Sequence, residues 1–136
     1  MKQLISKIDN SILHIVCKQE KIKNKRKELV NDKQFIQASI INLNKGTTFA
    51  AHKHLYKDLE LNNIIAQEAW VIINGSVEVT YYDLDDSKLD SVILNKGDLT
   101  ITLFGGHSYK ILENDTLIYE FKTGPYFGPE KDKVYI

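Results

Sequence analysis

The chain has 136 residues, 43% hydrophobic and 26% charged, which suits one domain with a real core and excludes the composition of a disordered chain. Eighteen Lys plus Arg cancel eighteen Asp plus Glu, so no net field draws the molecule towards nucleic acid or an anionic membrane. One cysteine, Cys17, excludes an internal disulfide and suits a reducing compartment.

The first residues, MKQLISKIDN, hold no long apolar run and no small-residue cleavage site, and no stretch approaches a membrane span, so a cytoplasmic location is expected. SILHIVCK reads as a short strand end that buries Cys17 as an inert thiol, with His14 a packed or exposed strand residue. Lys18 to Leu29 is rich in helix formers but has no apolar stripe, and it is the one candidate helix. Its basic run, Lys18, Lys21, Lys23, Lys25, Arg26 and Lys27 against Glu20, lacks interleaved aromatics and reads as a solvated face; no nucleic-acid partner is expected.

From Phe35 onward, short β-rich runs alternate with turn signals, the pattern of a sandwich or barrel. The runs are Phe35–Leu43, Thr47–Leu55, Glu68–Ile73, Ser76–Asp83, Ser91–Leu94, Leu99–Phe104, Ser108–Glu113 and Thr116–Lys122. Asn74-Gly75 between two of them predicts a two-residue hairpin, because both residues tolerate positive φ. Asp83–Asp90, Asn95–Asp98 and Glu113–Asp115 are polar turns. One all-β domain is expected over 1–136: an N-terminal arm over about 1–34, a barrel over about 35–122 and an extended tail over 123–136.

His52 and His54 stand two apart in a β-like run, a spacing that can bring two imidazoles to one metal ion. Gly46 precedes His52 by six residues, and Glu68 precedes Gly75 by seven. The resulting G-x5-H-x-H and E-x6-G, here G-TTFAA-H-K-H and E-AWVIIN-G, resemble the first motif of the cupin superfamily. The second cupin motif, G-x5-P-x-G-x2-H-x3-N, is partly matched by G-DLTIT-L-F-G-G-H-SYK-I. There Leu103 replaces the proline, one residue is missing before His107, and Ile111 replaces the asparagine. The chain also departs from the family between His54 and the glutamate, where it has thirteen residues instead of three or four. Glu60 lies nearer in spacing but no hairpin glycine follows it in register, and residues 55–67 read as a loop inserted at the barrel mouth.

The resemblance implies a single-domain, jelly-roll-like cupin β-barrel whose metal ligands are His52, His54, Glu68 and His107. Three imidazoles and a carboxylate suit one divalent transition metal ion, Fe, Mn, Zn or Ni. Strand alternation turns Trp70 the same way as Glu68 and Tyr109 the same way as His107, so Trp70 and Tyr109 are the pocket candidates, and Tyr109 is the candidate catalytic acid or base. Gly105 and Gly106 permit a tight turn or a close backbone approach before His107. The run YEFKTGPYFGPEKDK resembles the tail of small bacterial cupins associated with surface-carbohydrate biosynthesis, and Glu120, Lys122 and Tyr126 in it read as structural residues first and as outer groups of the site second.

The expected activity is metal-dependent isomerisation or epimerisation of a carbohydrate or sugar nucleotide. The alternatives are an Fe(II)-dependent dioxygenase and a non-catalytic metal- or ligand-binding accessory protein. A homodimer is expected, pairing an exposed strand edge near residues 35–43.

Overall fold

Period-two alternation is cleanest in Ser76–Tyr82, where Val77, Val79 and Tyr81 are fully buried and Glu78, Thr80 and Tyr82 are half-buried. The strands are β1 (Lys2–Ile5), β2 (Ile12–Cys17), β3 (Arg26–Glu28), β4 (Ser39–Ile41), β5 (Glu68–Asn74), β6 (Ser76–Tyr82), β7 (Lys88–Asn95), β8 (Leu99–Thr102), β9 (Gly106–Ile111) and β10 (Leu117–Lys122). The structure, a computed structural model, describes residues 1–19, 26–54 and 64–136. Among the described residues there is no α-helix, only a 3-10 turn at Pro129–Lys131, and no helix long and apolar enough to cross a membrane.

The protein is all-β. A five-stranded sheet runs β1-β2-β8-β5-β10, a three-stranded sheet runs β7-β6-β9, and β3 and β4 form a separate pair. None of the three closes on itself into a barrel. The two larger sheets share one core, in which Leu4, Val16 and Ile72 meet Val77, Val79, Tyr81 and Leu94. On the opposite face of the five-stranded sheet, Ile15, Cys17, Ala69, Ile101 and Leu103 pack with Leu29, Ile36, Ala38 and Ile40. Each buried Val, Leu or Ile contributes about 1.5–3 kcal/mol relative to exposure, so the sheet is anchored from both sides.

Several expectations change. Arg26–Glu28, expected within a helix, is a strand, because it pairs with Ser39–Ile41 and the adjacent Leu29 is buried; residues 20–25, with Lys21, Lys23 and Lys25 of the basic run, lie outside the described residues. The expected strand Phe35–Leu43 shortens to β4, and the described part of Thr47–Leu55 is no strand: residues 47–54 are exposed and have no ladder partner. Residues 2–5 and 12–17, expected in an arm outside the barrel, supply two of the five strands of the main sheet.

Asn74-Gly75 does not close a hairpin. The strands it separates belong to different sheets, β5 beside β8 and β10, β6 beside β7 and β9. Gly75 has φ +81, and a side chain there would strike the Thr116 side chain, so the residue works as a corner at which the chain changes sheet. The link from β9 to β10 passes the same corner, where Asn74 Nδ2 donates to the Asp115 carbonyl at 3.3 Å.

Candidate functional site

Strand register builds the site. His14 on β2 pairs Thr102 on β8, Thr102 pairs Glu68 on β5, and Glu68 pairs Lys122 on β10. Residues directly opposite share a face, so these four form one polar row across four strands. The next row is Val16, Thr100, Trp70 and Glu120. From the facing sheet, β9 contributes His107 and Tyr109, on alternate positions and hence on one face. The apolar core therefore gives way at one end of the two sheets to a polar cluster.

Glu68 is its centre. The Tyr109 hydroxyl donates to Glu68 Oε1 at 3.2 Å, and His107 Nε2 lies 3.4 Å from the same oxygen. Burial pushes the Glu68 carboxyl up, but His107, the Tyr109 hydroxyl and Lys122 together outweigh it and leave the group below its ordinary value. Glu68 is thus an ionised carboxylate at neutral pH. Tyr109 is pushed up, first by burial and then by the Glu68 charge, so its phenol stays a neutral donor. Trp70 stacks on Tyr109, centroids 3.6 Å apart and planes within 5°, and its indole N–H donates to Glu120 at 3.2 Å.

A carboxylate only accepts, so the neutral tautomer of His107 that faces Glu68 favourably has its proton on Nε2 and its lone pair on Nδ1. That Nδ1 is buried and has no hydrogen-bond partner. His14 lies near enough to His107 to feel its charge and is fully buried, with Nε2 3.3 Å from the Tyr82 carbonyl and Nδ1 3.1 Å from the Thr102 hydroxyl. The carbonyl fixes the tautomer: Nε2 donates, and Nδ1 accepts from Thr102. Burial drives the His14 pKa down to about 4, against the Tyr82 bond, so the ring is neutral. Gly105, at φ +76, passes so close to Tyr82 and His14 that a Cβ would lie 2.6 Å from the Tyr82 carbonyl and 3.2 Å from His14 Nε2. The close backbone approach expected before His107 is present at Gly105.

The cluster opens into a cavity of about 410 Å³ lined by Gln67, Glu68, His107, Ser108, Tyr109 and Lys122 and by residues 132–136 of the tail. Trp70 is not in its wall; it backs Tyr109 from behind.

The four expected metal ligands fall into two pairs. Glu68 and His107 meet across the sheets. His52 and His54 meet each other, ring centroids 5.2 Å apart and nearly perpendicular, on the exposed segment 47–54, where His52 Nδ1 lies 2.9 Å from the Ala50 carbonyl. Among the described residues, no three His, Cys, Asp or Glu side chains are gathered as one donor set. The lone pair at His107 Nδ1 suits a metal ion, but the four donors do not make one site in this arrangement. Glu60 and most of the expected insertion, residues 55–63, lie outside the described residues.

Two participants escaped the sequence reading. Asp132, in the tail, receives the Lys122 ammonium at 3.0 Å, and His14 enters the polar row. His14 had one signal, a polar residue sharing a face with Val16 in an apolar strand; Asp132 had none.

No protein-family model, no curated protein and no solved structure matches the chain.

Proposed function

We propose that the cavity binds a sugar-class small molecule and moves a proton on it, with His107 as the proton carrier. The observation that supports this reading is the Glu68–His107–Tyr109 cluster: an ionised carboxylate, fixed by a phenol, aimed at an imidazole whose second nitrogen has no partner. The carboxylate stabilises the imidazolium that forms when the His107 ring turns its buried Nδ1 towards the cavity and accepts a proton there. For isomerisation, that proton leaves a carbon beside a carbonyl and is returned to the carbonyl carbon, while the hydroxyl proton on the first carbon passes to the carbonyl oxygen, and Lys122 offers a donor to the sugar oxygens. The 3.4 Å between His107 and Glu68 is longer than a normal N–H···O bond, so the pair has slack for a ligand to adjust it. A cavity of about 410 Å³ is of the size of small-molecule sites. In this reading the two packed sheets are an open variant of the cupin jelly roll.

The test is proton exchange. Candidate hexoses and sugar nucleotides incubated with the protein in D2O are expected to exchange one carbon-bound proton, followed by NMR, and Glu68→Gln to slow that exchange sharply. Binding without exchange, for every candidate, replaces the enzyme by a ligand-binding accessory protein.

A second reading has His52 and His54 brought over Glu68 and His107 to hold one divalent metal ion. The unpartnered His107 Nδ1 favours it. Calorimetric titration with Zn(II) and Fe(II) is then expected to give one site that both His52→Ala and His107→Ala remove. Oxygen uptake by the Fe(II) form alone, with a candidate sugar, would point to dioxygenase chemistry.

A further inference from the structure

Lys122 lies directly across from Glu68 on the neighbouring strand and in the wall of the same cavity. Its ammonium is turned to the tail: it is 3.0 Å from Asp132 Oδ2 and 4.1 Å from the centre of the Tyr126 ring. Both side chains of the ion pair are largely covered, 23% and 15% exposed.

The tail around Asp132 is otherwise weakly held. The bonds Lys131 N–H to Gly128, and Asp132 and Lys133 N–H to Pro129, stay within its own turn. Val134 and Tyr135 are 86% and 90% exposed. Among the described residues, Lys122–Asp132 is the one hydrogen bond from 129–136 to a strand, and the Ile136 side chain rests near Gly106 beside His107. Residues 132–136 nonetheless form a wall of the cavity. The segment covering the site is thus tied down by a carboxylate on the cation that the site would offer to an anionic ligand.

We infer that Lys122 is the anion-binding residue of the cavity, that Asp132 occupies it in the empty protein, and that a phosphate group on the ligand displaces Asp132 and frees the 129–136 segment. This rests on the sugar reading above and narrows it to phosphorylated sugars. A phosphate dianion offers the ammonium more charge and more acceptor oxygens than one carboxylate, and a single such pair exchanges without disturbing either sheet. Lys131 and Lys133 flank Asp132 and favour the incoming anion.

The experiment follows binding by the fluorescence of Trp70, the single tryptophan, with a hexose 1-phosphate, the free hexose and inorganic phosphate as probes. The hexose 1-phosphate is expected to bind about ten-fold or more tighter than the hexose, and Lys122→Met to remove that difference. Asp132→Asn, on the exposed segment, is expected to tighten phosphate-bearing probes several-fold, and saturating hexose 1-phosphate to speed tryptic cleavage after Lys131 or Lys133. Equal affinity for the two sugars, indifference to Lys122→Met, or slower cleavage with ligand overturns the inference. Lys122-dependent binding of inorganic phosphate, with no affinity for either sugar, keeps the latch and removes the sugar reading. No response to any probe removes both.

Discussion

The two pairs of expected ligands differ in how the chain holds them. Glu68 sits on β5, paired on both sides by β8 and β10, and His107 sits on β9, whose register is fixed by β6, so each is held in a sheet ladder. His52 and His54 sit on an exposed stretch that belongs to no sheet, and their described contacts are local. The same residue types therefore carry different structural weight: the first pair is positioned before any ligand arrives, and the second must be positioned by what it binds.

The sharpest way to break this contrast is Glu68→Gln. It is expected to cut proton exchange by about 10²-fold or more while the thermal midpoint stays close to wild type, since the amide fills the same space. Equal loss from His52→Ala would make the two pairs one site.

Packing is next. Trp70→Ala removes the ring stacked on Tyr109 and is expected to cost about 2–4 kcal/mol in urea unfolding. Phe49→Ala, on the segment of His52 and 70% exposed, is expected to fall within about 0.5 kcal/mol of wild type. A large effect at Phe49 would show that the segment is seated after all.

Acid probes the polar row. His14 has its pKa lowered from 6.5 to about 4, chiefly by burial, with Asp83 opposing and His107 reinforcing the shift. The unfolded chain therefore binds the proton first, so stability from this group is intact above pH 6.5 and is lost as pH falls towards 4. The loss across that window is about 3 kcal/mol at most, read from urea midpoints at pH 7 and pH 4.5, and His14→Gln is expected to flatten it. Smallest is His54→Ala, whose unfolding midpoint without metal is expected to match wild type within about 0.5 kcal/mol.

The strands from Glu68 onward were legible because alternation and turn chemistry are local signals, and β5 to β10 fall within a few residues of the runs read from them. The relation between strands was not. Asn74-Gly75 carries the residues of a hairpin, yet whether strands at a tight turn pair or part depends on what else occupies their edges, and β8 and β10 claim both edges of β5. The Glu68 and His107 positions followed from periodicity, whereas the row through His14, Thr102, Glu68 and Lys122 joins residues up to 108 apart and exists only through register. The His-x-His spacing spoke of a shared face and said nothing of the strand that would be needed to deliver it.

The order of strands also bears on how the protein is made. In the sheet β1-β2-β8-β5-β10, only β1 and β2 are neighbours in sequence, and β5 receives one partner at Leu99–Thr102 and its other at Leu117–Lys122. A nascent chain therefore carries both hydrogen-bonding edges of β5 open until β8 has been added, and the β10 edge open until Leu117–Lys122 follows. The vulnerable species is the unfinished one, in which Ala69 to Ile73 is available to another chain, and a co-expressed chaperone would act on yield without altering the finished molecule.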